Sequence, residues 1–191
     1  MKILRRQEIA VGNADDYWIG DLIQVGKYTA TCQKVTENAA VFLLDQRLDK
    51  DYCMNPTDTN EGGYETSELR RTLQIIAAND ENFASVRAYM RPFDNGDLLR
   101  IPVIGEVFGK IHEDEDDYSR FEPDDAEQWA LMKDRRNREL EEYGWYWLQN
   151  TATSKYCGYK AGFAVVNGEG GKGYSLPKSY GNVRPVFQLT D

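Results

Sequence analysis

Residues 18–45, WIGDLIQVGKYTATCQKVTENAAVFLLD, set the fold class. The stretch is rich in Val, Ile, Thr and aromatic residues, the types that suit a pleated, half-buried surface, and Gly26-Lys27 and Glu37-Asn38 divide it as turns. It reads as three short strands in an antiparallel meander. Next comes QRLDKDYCMNPTDTNEGG, a loop with Pro56, Gly62 and Gly63 as breakers. In YETSELRRTLQIIAAND, residues 64–80, Leu69, Leu73 and Ile76 recur at i, i+4 and i+7, with Thr66 or Ser67 placed to cap, so an amphipathic helix is expected. A second helix is expected over Phe83, Val86, Tyr89 and Met90, stopped by Pro92. LLRIPVIGEVFG then reads as a strand up to Val103 followed by a turn or one helical turn.

The tail returns to strands. WYWLQN at 145–150, FAVVN at 163–167 and NVRPVFQL at 182–189 are three strand-like segments, separated by polar loops at 151–162 and 168–181. Strands, then helices, then strands make an α+β domain with mostly antiparallel sheet, two helices and long loops. The expected organisation is a single domain over 1–191, with residues 1–16 as an N-terminal extension and 104–144 as a charged insertion. Within that insertion acidic residues from Asp124 to Glu127 precede basic ones from Lys133 to Arg138, an order that suits a helix dipole, so part of it is expected to be helical.

Composition bounds the function. The chain has 191 residues, 41% of them hydrophobic, enough to bury a substantial core. Its formal net charge is −9, so long-range repulsion would meet a nucleic-acid backbone and no direct nucleic-acid partner is expected. The beginning of the chain reaches Asn13, Asp15 and Asp16 before any apolar run of signal length, and no segment is long and apolar enough to span a bilayer. The expected setting is the cytoplasm, or a virion. Cys32, Cys53 and Cys157 are scattered without metal-ligand spacing, and the only histidine is His112. Neither a disulfide framework nor a zinc site is expected, and no catalytic dyad stands out. No cofactor is expected. The run Glu113–Asp117 lacks the ligand order of a calcium loop and reads as solvated acid.

GEGGKGYSLPKSYG, from Gly168, holds a formal G-x-G-x-x-G at Gly168, Gly170 and Gly173. A dinucleotide site needs a helix after the glycines, and Pro177 with the closing glycine argues against one. A Walker loop fails as well, because Gly173, not Ser or Thr, follows Gly171-Lys172. The stretch reads as a loop between strands.

Taken in order, Trp147-Leu148-Gln149-Asn150, Phe163-Ala164-Val165-Val166-Asn167-Gly168 and Gly181-Asn182-Val183-Arg184-Pro185-Val186-Phe187 resemble the W-x-L-R, F-x-x-V-x-x-x-G and G-V-R-P-x-F series of an uncharacterised family of bacterial and prophage proteins. Tyr64-Glu65-Thr66-Ser67-Glu68-Leu69-Arg70-Arg71-Thr72-Leu73 is similar to that family's W-x-x-S-x-L-R-x-x-L helix. Gln149 stands where the family more often has Arg. The family looks like the C-type-lectin-like scaffold shared with formylglycine-generating enzymes. The resemblance implies that fold, with Trp147 and Arg184 structural and on neighbouring strands, the arginine holding the last strand against its neighbour.

It also implies a non-catalytic binding module whose contacts lie in the two tail loops. Tyr156, Tyr159 and Lys160 in one, and Tyr174, Lys178 and Tyr180 in the other, offer amphipathic and cationic contacts to a protein or glycan ligand. Two alternatives stand beside it. One is an acidic interaction protein that occupies a basic surface of a partner. The other is an oxidase relative of formylglycine-generating enzymes, which would need a reactive cysteine pair where only Cys157 lies. Glu122-Pro123-Asp124, with Trp147 and Asn150, is similar in order to the Glu-Pro-Asn and Trp-Asn-Asp elements of calcium-dependent lectins, but Trp-Leu-Gln-Asn is not Trp-Asn-Asp, and no metal is expected.

Overall fold

The structure, a computed structural model, describes residues 17–110, 119–158 and 160–190. His112, the acidic run 113–117, the extension 1–16 and Tyr159 lie outside the described residues. The protein is α+β, with two curled antiparallel sheets and few helices. It divides into two compact units, one formed by Met1–Arg47, Thr72–Arg100 and Arg184–Asp191, the other by Leu48–Arg71 and Ile101–Val183.

In the first unit the meander forms as expected: β1 (Leu22–Val25), β2 (Tyr28–Val35) and β3 (Ala40–Leu44) pair consecutively and antiparallel. The chain's end, β9 (Val186–Leu189), pairs with β3, and the two-residue β4 (Met90–Arg91) pairs with the other side of β9. β3 therefore has a neighbour on each side. Its five residues, AVFLL, are all buried, as the continuous apolar run requires. Phe42 of β3 stacks on Phe187 of β9 at 5.7 Å between centroids, and Phe83 meets the same Phe187 edge-on at 6.1 Å. Rings of this size buried between sheet and helix contribute roughly 1.5–3 kcal/mol each. A β-bulge interrupts β2 between Cys32 and Lys34.

The first helix, α1 (Glu68–Asn79), is capped by Ser67, whose Oγ accepts from the Arg70 amide at 3.1 Å. The second helix is shorter than expected. A 3₁₀ turn over Glu81–Phe83 runs into α2 (Ala84–Arg87), and the chain has become strand by Met90. Only Phe83 and Val86 are buried, a single i, i+3 pair, so pairing of Met90 with Leu189 wins over another helical turn. Residues 98–103 also differ from expectation. They form no strand but one bridge, Arg100 to Val186, because two prolonged ladders cannot share that edge of β9.

The second unit holds a four-stranded sheet in the order β5 (Ser119–Phe121), β6 (Tyr146–Ser154), β7 (Lys160–Val166), β8 (Lys172–Ser175). β6 runs four residues into the expected loop. Its end, Thr151-Ala152-Thr153-Ser154, alternates half-buried and buried, a strand pattern written in residues too small to read as apolar. β8 lies wholly within the expected loop 168–181. After Val103, where a turn or one helical turn is expected, the chain takes the helical form as α3 (Ile104–Phe108). The charged stretch that follows forms 3₁₀ turns at Ala130–Lys133, Arg135–Arg138 and Glu141–Tyr143, not an α-helix. Trp129 and Met132 are buried, but Arg136 stands where the next apolar residue of a helical face would fall, so nothing extends the helix.

Trp147 is fully buried in this unit, its ring edge-on to Phe163 at 6.4 Å and to Trp145 at 4.9 Å, with Nε1 donating to the Tyr52 carbonyl at 2.8 Å. Trp147 and Arg184 are not on neighbouring strands. Trp147 belongs to β6, where its amide donates to Asn182 at 3.2 Å, whereas two residues later the chain has left that sheet. Arg184 is buried and donates through Nε to the Leu44 carbonyl of β3 at 2.7 Å, bracing the approach to β9.

Candidate functional site

The glycine-rich segment is the turn of the β7–β8 hairpin. The Asn167 amide donates to the Gly171 carbonyl at 2.8 Å, and Asn167 Oδ1 accepts from the amides of Glu169 and Gly171 at 3.0 and 2.8 Å. Gly170 has φ 72°, a left-handed conformation that favours glycine. A strand follows the glycines instead of a helix, and the turn amides are spent on Asn167, which leaves no amide cradle of the dinucleotide type.

The tail residues are distributed as follows. Tyr156 sits in a 3₁₀ turn, Lys155–Cys157, and is 77% exposed. Lys160 is the exposed first residue of β7. Tyr174 lies in β8, and its hydroxyl donates to the Lys160 carbonyl at 2.8 Å, tying the second tail segment to the first. Partial burial pushes the Tyr174 phenol up, and nearby Cys157 and Asp58 act in the same direction. Asp58 also holds Lys178, with Nζ 2.6 Å from its carboxylate. Lys160, Tyr174 and Lys178 are thereby linked through Tyr174 and Asp58, and Tyr156 precedes Cys157 in the neighbouring turn. Tyr180 is 72% exposed and belongs to the next turn, beside Gly181. Tyr159 lies outside the described residues.

A second feature of the same unit is a cleft of about 530 Å³. Its lining includes Asn60 and Glu65 from the segment before α1, Glu122 and Asp124 from the segment after β5, and Gln149, Asn150 and Thr151 of β6. β5 delivers the acidic segment: the Glu122 amide donates to the Thr151 carbonyl at 2.8 Å, prolonging the β5–β6 ladder by one bond. Asp124 then accepts from the Gly105 and Ala126 amides, both at 2.9 Å, and from Asn150 Nδ2 at 2.8 Å. Asn150 is buried. Its Nδ2 also reaches the Glu122 carbonyl at 2.9 Å, and its Oδ1 accepts from the Ile104 amide at 2.7 Å. Asp124 and Asn150 together satisfy amides at the start of α3 that no helical carbonyl can reach.

These bonds bear on the calcium-lectin likeness. The structure does bring Glu122, Asp124 and Asn150 into one cleft, yet the Asn150 carbonyl oxygen and both Asp124 oxygens are engaged by N–H donors. Among the described residues no three His, Cys, Asp or Glu side chains are grouped to hold a metal ion. Sequence reasoning passed over Asn60 and Gln149 as site residues. The available signal was Asn150, a residue depleted in strands that stands in the middle of one.

All three cysteines are free thiols. Cys32 is buried, and burial, helped by Asp21, pushes its thiol up to about 12. No helix among the described residues is long and apolar enough to cross a membrane. No protein-family model matches the chain, and neither a curated protein nor a solved structure matches it.

Proposed function

We propose that the protein is a non-catalytic binding module, with a protein or glycan ligand engaged by Tyr156, Lys160, Tyr174 and Lys178. The observation that carries this reading is the Tyr174 hydroxyl on the Lys160 carbonyl at 2.8 Å. It ties β8 to the start of β7, so two tail segments form one surface whose ordering cost is met on folding, before any ligand arrives. An exposed tyrosine and two lysines on these segments supply rigid amphipathic area and charge, the materials of a recognition surface. The C-type-lectin-like scaffold is part of the proposal. Its support is the order of the tail motifs and the two antiparallel sheets, and the placement of Trp147 in β6 and of Arg184 outside any strand weighs against it. The recognition surface stands without that scaffold.

The oxidase alternative draws no support from Cys32, which is protonated and buried at neutral pH. The test is a glycan array and an affinity capture run in parallel with the wild-type chain and a Tyr156→Ala, Lys160→Ala double variant. Loss of a wild-type ligand by the variant, with unchanged thermal melting, is the expected result. A ligand retained undiminished by the double variant overturns the assignment of the surface.

A further inference from the structure

Donors and acceptors around the cleft are unequally committed. The side-chain donors of Asn150 and Thr151 are all turned onto the protein itself, and the Asn60 and Gln149 amides each turn one N–H onto it. Asn60 Nδ2 donates to the Gly162 carbonyl at 3.2 Å and Gln149 Nε2 to the Ile101 carbonyl at 2.6 Å. Asn150 Nδ2 donates to Glu122 and Asp124, and the Thr151 hydroxyl to Glu122 Oε2 at 2.6 Å. A backbone carbonyl can only accept, so these bonds also fix which way the Asn60 and Gln149 amides face. Asn60 Oδ1, Gln149 Oε1 and Glu122 Oε1 then accept no hydrogen bond from any described residue. Glu65 is partnered by Arg70 at 2.8 Å, while Glu122 and Asp124 have no basic partner among the lining residues.

We infer that the cleft is a binding site for an organic cation bearing N–H donors, a guanidinium or ammonium group. A ligand of that chemistry donates to the Asn60, Gln149 and Glu122 oxygens that accept from no described residue and offsets the charge of the Glu122 carboxylate. An anion or an acceptor-rich ligand would face unpaired oxygens, a loss worth more than the contacts it made. The volume of about 530 Å³ is in the range of small-molecule sites, and the net charge of −9 draws cations toward the surface. This site is separate from the tail-loop surface and does not depend on it.

The group could come from a free small molecule or from a basic side chain of a polypeptide. Amide NMR titrations with spermidine, N-acetyl-arginine amide and a Gly-Arg-Gly peptide distinguish these sources, with uncharged N-acetyl-citrulline amide and anionic N-acetyl-glutamate as controls. The expected result is saturable shifts at Gln149, Asn150 and Thr151 with at least one cation, larger than with citrulline, and weakened about tenfold or more in Glu122→Gln. Saturation by spermidine alone assigns a small-molecule ligand, whereas preference for the peptide assigns a protein side chain. Glu122 is exposed, and the substituted amide can still accept from Thr151, so the variant is expected to fold; its spectrum verifies this. No cation-dependent shift in the cleft up to about 10 mM, or binding indifferent to Glu122→Gln, overturns the inference. Neither outcome involves Tyr156 or Lys160.

Discussion

Asn150 Nδ2 lies 2.8 Å from Asp124 Oδ2, and the two side chains between them take the Ile104 and Gly105 amides at the start of α3. Asn150 is buried and fully partnered, so its removal leaves several buried groups without bonds. Asn150→Ala is expected to destabilise the protein by about 2–4 kcal/mol, read as a shift of the urea midpoint. Asn150→Asp is expected to be no better, because it sets a second carboxylate against Asp124 where a donor stood. A loss below about 0.5 kcal/mol for Asn150→Ala would show that the pair does not hold α3.

Tyr174→Phe isolates the hydroxyl that joins the tail segments. Loss of one partly exposed hydrogen bond is expected to cost about 1 kcal/mol in chemical denaturation. The same hydroxyl has a phenol pKa raised in the folded state, chiefly by burial. Its neutral form is thus favoured by folding, and the associated stability is present below the ordinary phenol pKa and lost as pH rises through the folded one. A tyrosinate absorbance titration should show a late-ionising tyrosine in the native protein that Tyr174→Phe lacks. Identical native titration curves for the two proteins would remove Tyr174 as that group.

The meander and α1 were legible because each carries a complete local signal: β-formers bounded by turns in one case, and Leu69, Leu73 and a Ser67 cap in the other. β8 was hidden. Lys172-Gly173-Tyr174-Ser175 has little strand propensity, and its pairing with β7 is imposed by the hairpin turn at Asn167–Gly171. The extent of α2 was misread for the opposite reason, since Tyr89 and Met90 fit a helical face but β9 offered Met90 a partner from the far end of the chain. At the candidate sites, sequence supplied the residue types of the tail surface. The cleft depends on contacts such as Asn60 to Gly162, 102 positions apart, which local patterning does not encode.

Cys32 yields a prediction about accessibility and pH. Its thiol is fully buried and raised to about 12, while Cys53 and Cys157 are half-buried. At about pH 8, native protein is expected to consume thiol reagent quickly at no more than two sites, with the Cys32 site reacting only after denaturant is added. Folding favours the protonated thiol. The contribution is therefore complete below the unfolded cysteine pKa, about 8.5, and declines from there to about pH 12 as the unfolded chain loses its proton first. Cys32→Ser is expected to flatten that part of the stability profile relative to wild type. Rapid native labelling of Cys32, identified by peptide mapping, would contradict its placement in the core.

Gly181 is held between two constraints. Its amide and carbonyl exchange bonds with Tyr52 at 3.0 and 2.9 Å, fixing the backbone, and the Trp145 ring occupies the space where a Cβ would stand, with Cζ2 only 2.6 Å from that position. A methyl group there must displace the ring, and Trp145 packs edge-on against Trp147 at 4.9 Å. Gly181→Ala is expected to cost about 1–3 kcal/mol, the range of overpacking in a dense site. The indole emission should change with it, since movement of Trp145 alters the surroundings of both rings. An alanine variant with wild-type stability and emission would mean that the ring yields freely, and that the glycine before Asn182-Val183-Arg184-Pro185 is not set by Trp145.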